Sequence, residues 1–276
     1  MDPVADARAL AERALERAGI RLDEVHDAAD CRRLAEVLGR VWGRAGTELL
    51  DPPLLVALAG AGNHVALAFR GDEPIGGALG FCGPPGHPFH SHIVGLLPEA
   101  AGRGAGRAIK LAQRAWCLDR GIERMTWTFD PLIRRNAHFN IRVLGARPVA
   151  YLPALYGELR DAINAGEESD RALVAWDLRA TPPAGTGVTV DGHAAVSDDG
   201  GAPTVYAPPP ARADTALVCL PSDIEATRRT DPDRAHAWRG QTRAALSDLM
   251  SGGWAVDDFT DAGQYVLRRR RPEGTP

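Results

Sequence analysis

The sequence contains almost no lysine, since Lys110 is the single lysine among its 32 basic residues. It also contains only four cysteines in 276 residues, Cys31, Cys82, Cys117 and Cys219. Their positions form no CxxC pair and no Cys/His ligand spacing, so the sequence supports neither a zinc site nor a disulfide framework. These cysteines are therefore interpreted as reduced thiols of a cytoplasmic protein.

Long apolar runs are absent as well. Leu54–Ala61 is typical of the longest stretches and is far shorter than the ~18 residues that a membrane-spanning helix needs. Met1–Ala18 carries charged residues where a signal peptide has an apolar core, so no targeting segment is expected. The formal net charge of −4 offers no general attraction for nucleic acid. The composition is that of an ordinary globular protein.

The chain is predicted to contain two domains, residues 1–180 and 181–276. Ala180–Gly187 and Asp198–Ala213 are rich in proline, glycine and alanine, which is typical of linkers and loops. Periodicity and turn residues predict the elements of each domain. In the first domain the predicted helices are Ala5–Ala18, Ala28–Trp42, Pro52–Ala59, a long helix ending near Arg120, and Ala137–Leu144. Its predicted strands are Ile20–Val25, His64–Arg70, Ile75–Cys82, Phe89–Leu97, Met125–Phe129, Val149–Leu152 and Ala172–Leu178. The second domain has a predicted strand Thr215–Leu220, a helix Asp233–Met250 and a hairpin of Trp254–Phe259 with Gln264–Arg269.

A glycine-rich loop, Leu96–Arg107, lies between a predicted strand and the long helix. Gly102, Gly104 and Gly106 alternate along it, so successive backbone N–H groups can face one spot beside a helix N-terminus. This pattern is typical of a pyrophosphate-binding loop. A flexible strand-to-helix turn is the plain alternative. A dinucleotide-binding fingerprint fits less well, because this loop follows an antiparallel hairpin and a third strand.

The order of elements and this loop resemble the GNAT superfamily of acyl-CoA-dependent N-acyltransferases over residues 20–178. Gly104 and Gly106 match the glycines of the family's phosphate motif, whereas Ala101 replaces its usual Arg or Gln. The segments Trp127–Leu132 and Arg135–Asn140 further resemble a bacterial subgroup of GNAT acyltransferases. The shorter matches Leu144–Ala146, Tyr156–Gly157, Asn164–Gly166 and Ser169–Arg171 continue that likeness.

The resemblance implies an α/β (α+β) fold with a mixed, mostly antiparallel sheet flanked by helices. The smaller C-terminal α/β region resembles a diverged half of such a domain. The implied reaction transfers an acetyl or other short acyl group from acyl-CoA to a small amine or amino acid, with N-succinylation of amino acids as one form. No metal, nucleic acid or membrane partner is implied, and a homodimer is one option for assembly. The alternative function is a catalytically weak acyl-CoA-binding or regulatory module.

The resemblance also implies which residues bind the cosubstrate. Backbone groups of Leu96 and Leu97 are expected to bond pantetheine and to polarise the thioester carbonyl. Asn136 is predicted to begin a helix and to contact pantetheine, with helix capping as the alternative. The pyrophosphate is expected to contact Gly102, Arg103, Gly104, Ala105, Gly106 and Arg107.

Two histidines are candidates for the general base. His90 and His92 flank one residue of a predicted strand, so their side chains share a face. A histidine titrates near neutrality and could take the proton of an acceptor ammonium. Asp130 ends the next strand and is predicted to orient or bind the amine. The alternative for the histidines is a structural role, and for Asp130 it is capping of a turn.

The general acid of many relatives is a tyrosine four residues before a glycine that corresponds here to Gly145. That position holds Ile141. Tyr156 is the preferred replacement and Tyr151 the second choice, with a buried structural tyrosine as the alternative. Since a thiol has a pKa of about 8.5, CoA is also a tolerable leaving group without an acid.

Overall fold

The computed structural model of the chain describes residues 2–43, 49–100, 102–157, 168–180 and 189–270. Its contacts divide the chain into two compact units, which are described separately. The first unit contains residues 1–127, 161–163 and 177–180, and the second contains residues 128–160, 164–176 and 181–276. This division differs from the predicted boundary near residue 180. The domains 1–180 and 181–276 remain a prediction.

The first unit begins with helices and continues into an antiparallel sheet. Its helices are α1 (Pro3–Ala18), α2 (Ala28–Val41), α3 (Pro52–Gly60) and α4 (Ala105–Asp119). Its strands are β1 (Arg21–Glu24), β2 (His64–Arg70), β3 (Glu73–Phe81), β4 (Phe89–Leu96) and the larger part of β5 (Arg124–Phe129). Strands β1 to β4 are neighbours in that order, each antiparallel to the next, and β5 runs parallel to β4. Helix α2 packs on β2, β3 and β4, and α4 packs on β4.

Helix α1 has clear local signals at both ends. The Asp2 carboxylate accepts a hydrogen bond from the Val4 N–H, Pro3 occupies the first turn, and Gly19 ends the helix in the left-handed conformation. The buried residues of the helix are all alanines, Ala7, Ala11, Ala14 and Ala18. Their spacing places them on one face, and their small side chains allow α1 to pack closely on α4.

The second unit contains a five-stranded sheet and a strand pair. Its helices are α5 (Arg134–His138), α6 (Ile224–Thr230) and α7 (Pro232–Ser251). Its strands are β6 (Arg147–Leu152), β7 (Arg171–Asp177, all but the last residue), β8 (His193–Asp199), β9 (Ala202–Val205), β10 (Thr215–Cys219), β11 (Trp254–Phe259) and β12 (Gln264–Arg269). β6 and β7 are antiparallel. The larger sheet has the order β11-β12-β10-β8-β9, in which only the β8–β10 pair is parallel.

The predicted fold class, mixed α/β with mostly antiparallel strands flanked by helices, is confirmed. Two local predictions are wrong, and two elements were not predicted. The predicted loop Asp198–Ala213 contains β9, and β8 and α6 are the two elements that were not predicted. The predicted helix Ala137–Leu144 is instead the short α5 followed by a π-helical turn, Phe139–Val143. β9 is an edge strand that pairs with β8, and none of its four residues is buried, so its sequence shows no alternation of buried and exposed positions.

Among the described helices, none combines the length and the apolar character of a membrane-spanning segment.

Candidate active site

The glycine loop adopts a conformation that few sequences tolerate. Gly102, Arg103 and Gly104 are consecutive left-handed residues, with φ of 88°, 48° and 79°. Left-handed φ is easy for glycine and unfavourable for most other residues. A Cβ built on Gly102 or Gly104 would meet no atom within 4 Å, so the surface in front of the loop is open. The chain therefore turns sharply after β4, and no side chain of the described residues covers the surface at the start of α4.

The N-terminus of α4 presents unsatisfied amides to this surface. Gly104 is the N-cap and provides no side-chain cap, and the first turn holds no acidic residue. The Ala105 N–H donates to the Gly102 carbonyl at 3.1 Å, and the first helical bond is made by Ala108 to Gly104 at 2.9 Å. The amides of Gly106 and Arg107 thus precede the helical ladder and have no intrahelical acceptor. Together with the helix dipole, they form a site suited to an anion.

Strand β4 offers backbone donors on the edge away from β3. The Leu97 N–H donates to the Ile75 carbonyl at 2.8 Å, which makes Leu96 a non-hydrogen-bonded position opposite Gly76. The N–H of Leu96, and of Val94 two residues earlier, consequently points away from β3. In the described residues the β4–β5 ladder contains only two pairs, Phe89 with Met125 and His90 with Thr126.

The predicted cosubstrate-binding residues divide into three groups. Leu96, Gly102, Arg103, Gly104, Gly106 and Arg107 lie on the open loop, the helix N-terminus or the strand edge just described. Leu97 and Ala105 also lie there, but their amides already have backbone acceptors, so the expectation that these two N–H groups bind the cosubstrate is corrected. Ala101 lies outside the described residues. Asn136 belongs to the second unit and is the third residue of α5, whose N-cap is Ile133, so it neither begins nor caps the helix.

The two candidate histidines lie side by side on β4. Their ring centroids are 6.1 Å apart, and both rings contact Phe81, at 5.2 Å from His90 and 5.8 Å from His92. A β-bulge makes this arrangement irregular, because Leu79 pairs with Ile93 while Gly80 pairs with Ser91, which leaves His92 as the extra residue. Bulges bend a strand and redirect a side chain. The expected shared face is present, and the role of a base remains a prediction.

Electrostatics keep both rings neutral near neutral pH. Burial lowers the pKa of His90, and positive charge on His92 and Lys110 lowers it further. Partial burial against Phe81 lowers the pKa of His92, although this residue is the more exposed of the two. The His90 Nδ1 lies 3.3 Å from the Thr126 hydroxyl oxygen. A neutral imidazole can accept a proton, which is the state required of a general base.

A buried polar cluster lies on the opposite face of β4, and the sequence analysis did not predict it. The Lys110 ammonium donates to the Ser91 hydroxyl oxygen at 2.8 Å, and that hydroxyl donates to Gln113 Oε1 at 2.8 Å. Burial lowers the pKa of Lys110 to about 7, and its Nζ lies 3.9 Å from the centroid of the Trp127 ring. A single lysine on the apolar face of a helix is the sequence signal that could have revealed this cluster.

Asp130 is engaged within the second unit. Its carboxylate accepts from Arg228 at 2.6 Å and from Arg239 at 3.1 Å, and all three side chains are buried. It also accepts from the Leu132 N–H at 3.0 Å. Burial alone would raise the pKa of this carboxyl, and the charges of Arg239 and Arg228 hold it below its usual range. These contacts correct the expectation of a carboxylate available to bind an amine and favour a structural role, which includes the predicted capping of the turn.

The tyrosine candidates differ sharply in environment. The Tyr151 hydroxyl donates to Asp170 at 2.7 Å, and burial together with that bond raises the pKa of Tyr151. Tyr156 is 45% exposed, and its hydroxyl lies 3.3 Å from that of Thr128. Ile141 is fully buried, so no acid occupies the position usual in relatives. Tyr156 is therefore not a buried structural tyrosine, and its role as an acid remains a prediction.

The described residues contain no group of three or more histidine, cysteine or carboxylate side chains arranged to hold a metal ion. All four cysteines are free thiols, and Cys82 alone is exposed.

No family model matches the sequence, and no curated protein matches it. Similar solved structures include the ribosomal-protein-S18-alanine N-acetyltransferase of Escherichia coli, with 13% identity, 62% of this chain and 99% of that chain covered, and a TM-score of 0.45. A GNAT superfamily phosphinothricin acetyltransferase of Sinorhizobium meliloti has 19% identity, coverages of 60% and 95%, and a TM-score of 0.46. An N-acetyltransferase of Staphylococcus aureus has 9% identity, coverages of 58% and 98%, and a TM-score of 0.48.

Proposed function

We propose that this protein is an acyl-CoA-dependent N-acyltransferase of the GNAT type. The observation that carries the proposal is the open loop of Gly102, Arg103 and Gly104, which leads into an uncapped helix N-terminus. Left-handed backbone at these residues and the amides of Gly106 and Arg107 suit a pyrophosphate, which is the anionic centre of CoA. Arg103, which is exposed, and Arg107, which is half-buried, supply positive charge beside it.

The strand edge next to this loop suits the pantetheine arm. The N–H groups of Val94 and Leu96 point away from β3, and extended amides of a pantetheine can pair with them as a further strand would. One such N–H donor can also stabilise the oxyanion that forms when the thioester carbonyl is attacked. The same edge therefore serves both binding and catalysis.

The proposed chemistry is direct transfer to nitrogen. The amine nitrogen attacks the thioester carbonyl carbon, the carbon–sulfur bond breaks, and CoA leaves as its thiol. His92 or His90 accepts the proton of the acceptor ammonium, directly or through water, because both imidazoles are neutral near pH 7. Tyr156 is proposed to return a proton to the leaving sulfur, a minor contribution for a thiol with a pKa of about 8.5.

The acceptor is proposed to be a small amine or an amino acid, and the acyl group acetyl or another short group such as succinyl. A second candidate function is an acyl-CoA-binding or regulatory module with little turnover. Ile141 favours this second function, because a buried apolar side chain occupies the position at which many GNAT relatives have the tyrosine acid. Both functions require acyl-CoA binding, and only the first requires an acceptor.

Turnover separates the two candidates. The full chain is incubated with acetyl-CoA and, in parallel, with succinyl-CoA across a panel of primary amines and amino acids, and free CoA is measured with a thiol reagent. Acceptor-dependent release of CoA supports the transferase. Tight CoA binding without release for any acceptor supports the binding module, and absence of CoA binding contradicts both.

A further inference from the structure

Helices α2 and α4 cover opposite faces of the sheet in the first unit. In β3, a Cβ built on Gly77 would meet Leu34 of α2. A Cβ built on Gly80 would meet the ring of Phe89, which packs on Trp116 of α4 at 5.3 Å. These two glycines are three residues apart in one strand, so they face opposite sides. Each neighbouring position of β4 can therefore be assigned to the α2 face or the α4 face.

Strand β4 changes face between Ser91 and Gly95. Ser91 hydrogen-bonds to α4, whereas a Cβ built on Gly95 would lie 2.5 Å from the ring of Trp42, the C-cap of α2. Side chains of a regular strand alternate, so residues 91 and 95 would otherwise share a face. The β-bulge at His92 accounts for the change, because one extra residue reverses the alternation.

The bulge decides which face carries the two histidines. With the observed pairing, Phe81 lies opposite His90, and its ring contacts both imidazoles on the face away from α4. Without the bulge, the pairing found beyond it would continue, and Ser91 would lie opposite Phe81. His90 and His92 would then face α4, because a shift of register by one residue moves every side chain to the other face.

A buried lysine holds Ser91 on the α4 face. Lys110 Nζ donates to Ser91 Oγ at 2.8 Å, that hydroxyl donates to Gln113 Oε1 at 2.8 Å, and all three side chains are buried. The same Nζ lies 3.9 Å from the centroid of the Trp127 ring of β5. Without the bulge, Ser91 would leave this cluster, and the buried ammonium would lose its acceptor, which is unfavourable. The cluster therefore favours the register that contains the bulge.

We propose that Lys110 is a positioning residue for the acyl transfer proposed above. It acts through Ser91 rather than on a substrate: it fixes the register of β4 and thereby places His90 and His92 on the face away from α4. Its role in catalysis rests on the proposed function. The placement of the two imidazoles does not, and it is measured without turnover.

NMR on the full chain, labelled in histidine and phenylalanine, tests this placement. Single His90→Asn and His92→Asn variants assign the two imidazoles. In the unchanged protein, both should show cross-peaks to the Phe81 ring, whose centroid lies 5.2 Å and 5.8 Å from theirs. Lys110→Met and Ser91→Ala should each weaken both cross-peaks by at least about twofold, because the register with the bulge is then less strongly specified.

Two further variants separate positioning from a general loss of stability. Ser91→Thr keeps the hydroxyl that Lys110 bonds, so it should keep both cross-peaks. Leu111→Ala removes a buried apolar side chain from the same helix and should lower the Tm. It leaves the polar cluster intact, so both cross-peaks should remain.

Turnover tests the consequence for catalysis. For an acceptor that the protein acylates, Lys110→Met should lower kcat by about tenfold or more, because the proposed base is displaced. The KM for acyl-CoA should change by less than about twofold, since the glycine loop is unaltered. If no acceptor is acylated, the proposed function fails, and the cross-peaks alone decide whether Lys110 places the histidines.

The inference is overturned if Lys110→Met and Ser91→Ala both keep the cross-peaks, or if Leu111→Ala weakens them equally. It is also overturned if Lys110→Met leaves kcat unchanged for an acceptor that the protein acylates.

Discussion

Gly104 is the residue on which the proposed pyrophosphate site most depends. We predict that Gly104→Asp abolishes the increase in Tm that CoA produces, because a carboxylate would stand in the open space before the α4 amides. The matched control is Gly62→Asp, at another left-handed glycine, with φ of 81° and no atom within 4 Å of a built Cβ. Both variants carry the same backbone strain. Full CoA protection in the Gly104 variant would place the phosphate elsewhere.

The two histidines of β4 are proposed to accept the proton of the acceptor ammonium. If His92 or His90 is the proposed general base, its replacement by alanine should lower turnover by roughly 10²-fold or more. Because burial lowers the pKa of each ring, the acidic limb of the kcat/KM profile should lie below the usual histidine value of about 6.5 and should disappear in that variant. His87→Ala, in the exposed loop before β4, is the control. A pH–rate profile that neither substitution alters would assign deprotonation to water or to the substrate.

His64 makes stability depend on pH. Burial lowers its pKa to about 4, against about 6.5 in an unfolded chain, so the unfolded state binds the proton more tightly. Stability is then complete above pH 6.5 and is lost as the pH falls toward 4. We predict a loss of about 2 kcal/mol between pH 7.5 and 5 from this group. Urea unfolding should show that His64→Phe removes this dependence, whereas His26→Gln keeps it.

At the scale of elements, the second unit is held by a buried charge network. Arg228 on α6 and Arg239 on α7 both donate to Asp130, which follows β5. Removing Arg228 takes from Asp130 one of its two buried cationic partners and leaves Arg239 in place. Asp130 therefore links α6 and α7 to the turn that follows β5.

We predict that Arg228→Met lowers the free energy of unfolding by about 1–3 kcal/mol, because Asp130 loses one charge-assisted bond and keeps its bond to Arg239. Arg229→Met is the matched control, since the neighbouring Arg229 is exposed on the same helix. Chemical denaturation of both variants at pH 7 gives the comparison. Equal stability of the two variants would show that Arg228 contributes nothing to the network.

At the scale of the whole molecule, the second unit joins distant parts of the sequence. The Tyr265 hydroxyl donates to the Pro131 carbonyl at 2.8 Å, and Arg142 pairs with Asp258 at 3.0 Å. Arg243 pairs with Asp170 at 2.7 Å. The described residues 128–157 and 168–176 consequently share a packed unit with residues 189–270.

A chain ending at residue 180 should therefore lack a cooperative thermal transition for residues 128–157 and 168–176, because Asp130 and Asp170 would lose their arginine partners. CoA should still protect the glycine loop, since that loop belongs to the first unit. Thermal unfolding followed by circular dichroism, with a chain ending at residue 270 as the control, measures the first effect. A stable and fully active 1–180 fragment would show that the C-terminal region is an independent appendage.

The sequence alone determined the elements with strong local signals. Strand β2 and the hairpin strands β11 and β12 have the predicted bounds, because alternation and turn residues act within a few positions. The glycine loop and the shared face of His90 and His92 were likewise accessible, since both follow from local spacing. The fold class was implied by the family resemblance that the order of these elements and the glycine loop carried.

Only the tertiary structure decided which groups at the site have partners. The Leu97 amide bonds to Ile75 across the sheet, and Asp130 meets Arg228 and Arg239, which lie 98 and 109 residues away in sequence. The cleft lined by Glu24, His64 and Trp116 forms only where α1, β1, β2 and α4 meet. Local propensity carries no information about such contacts, because burial and pairing are set by packing between distant segments.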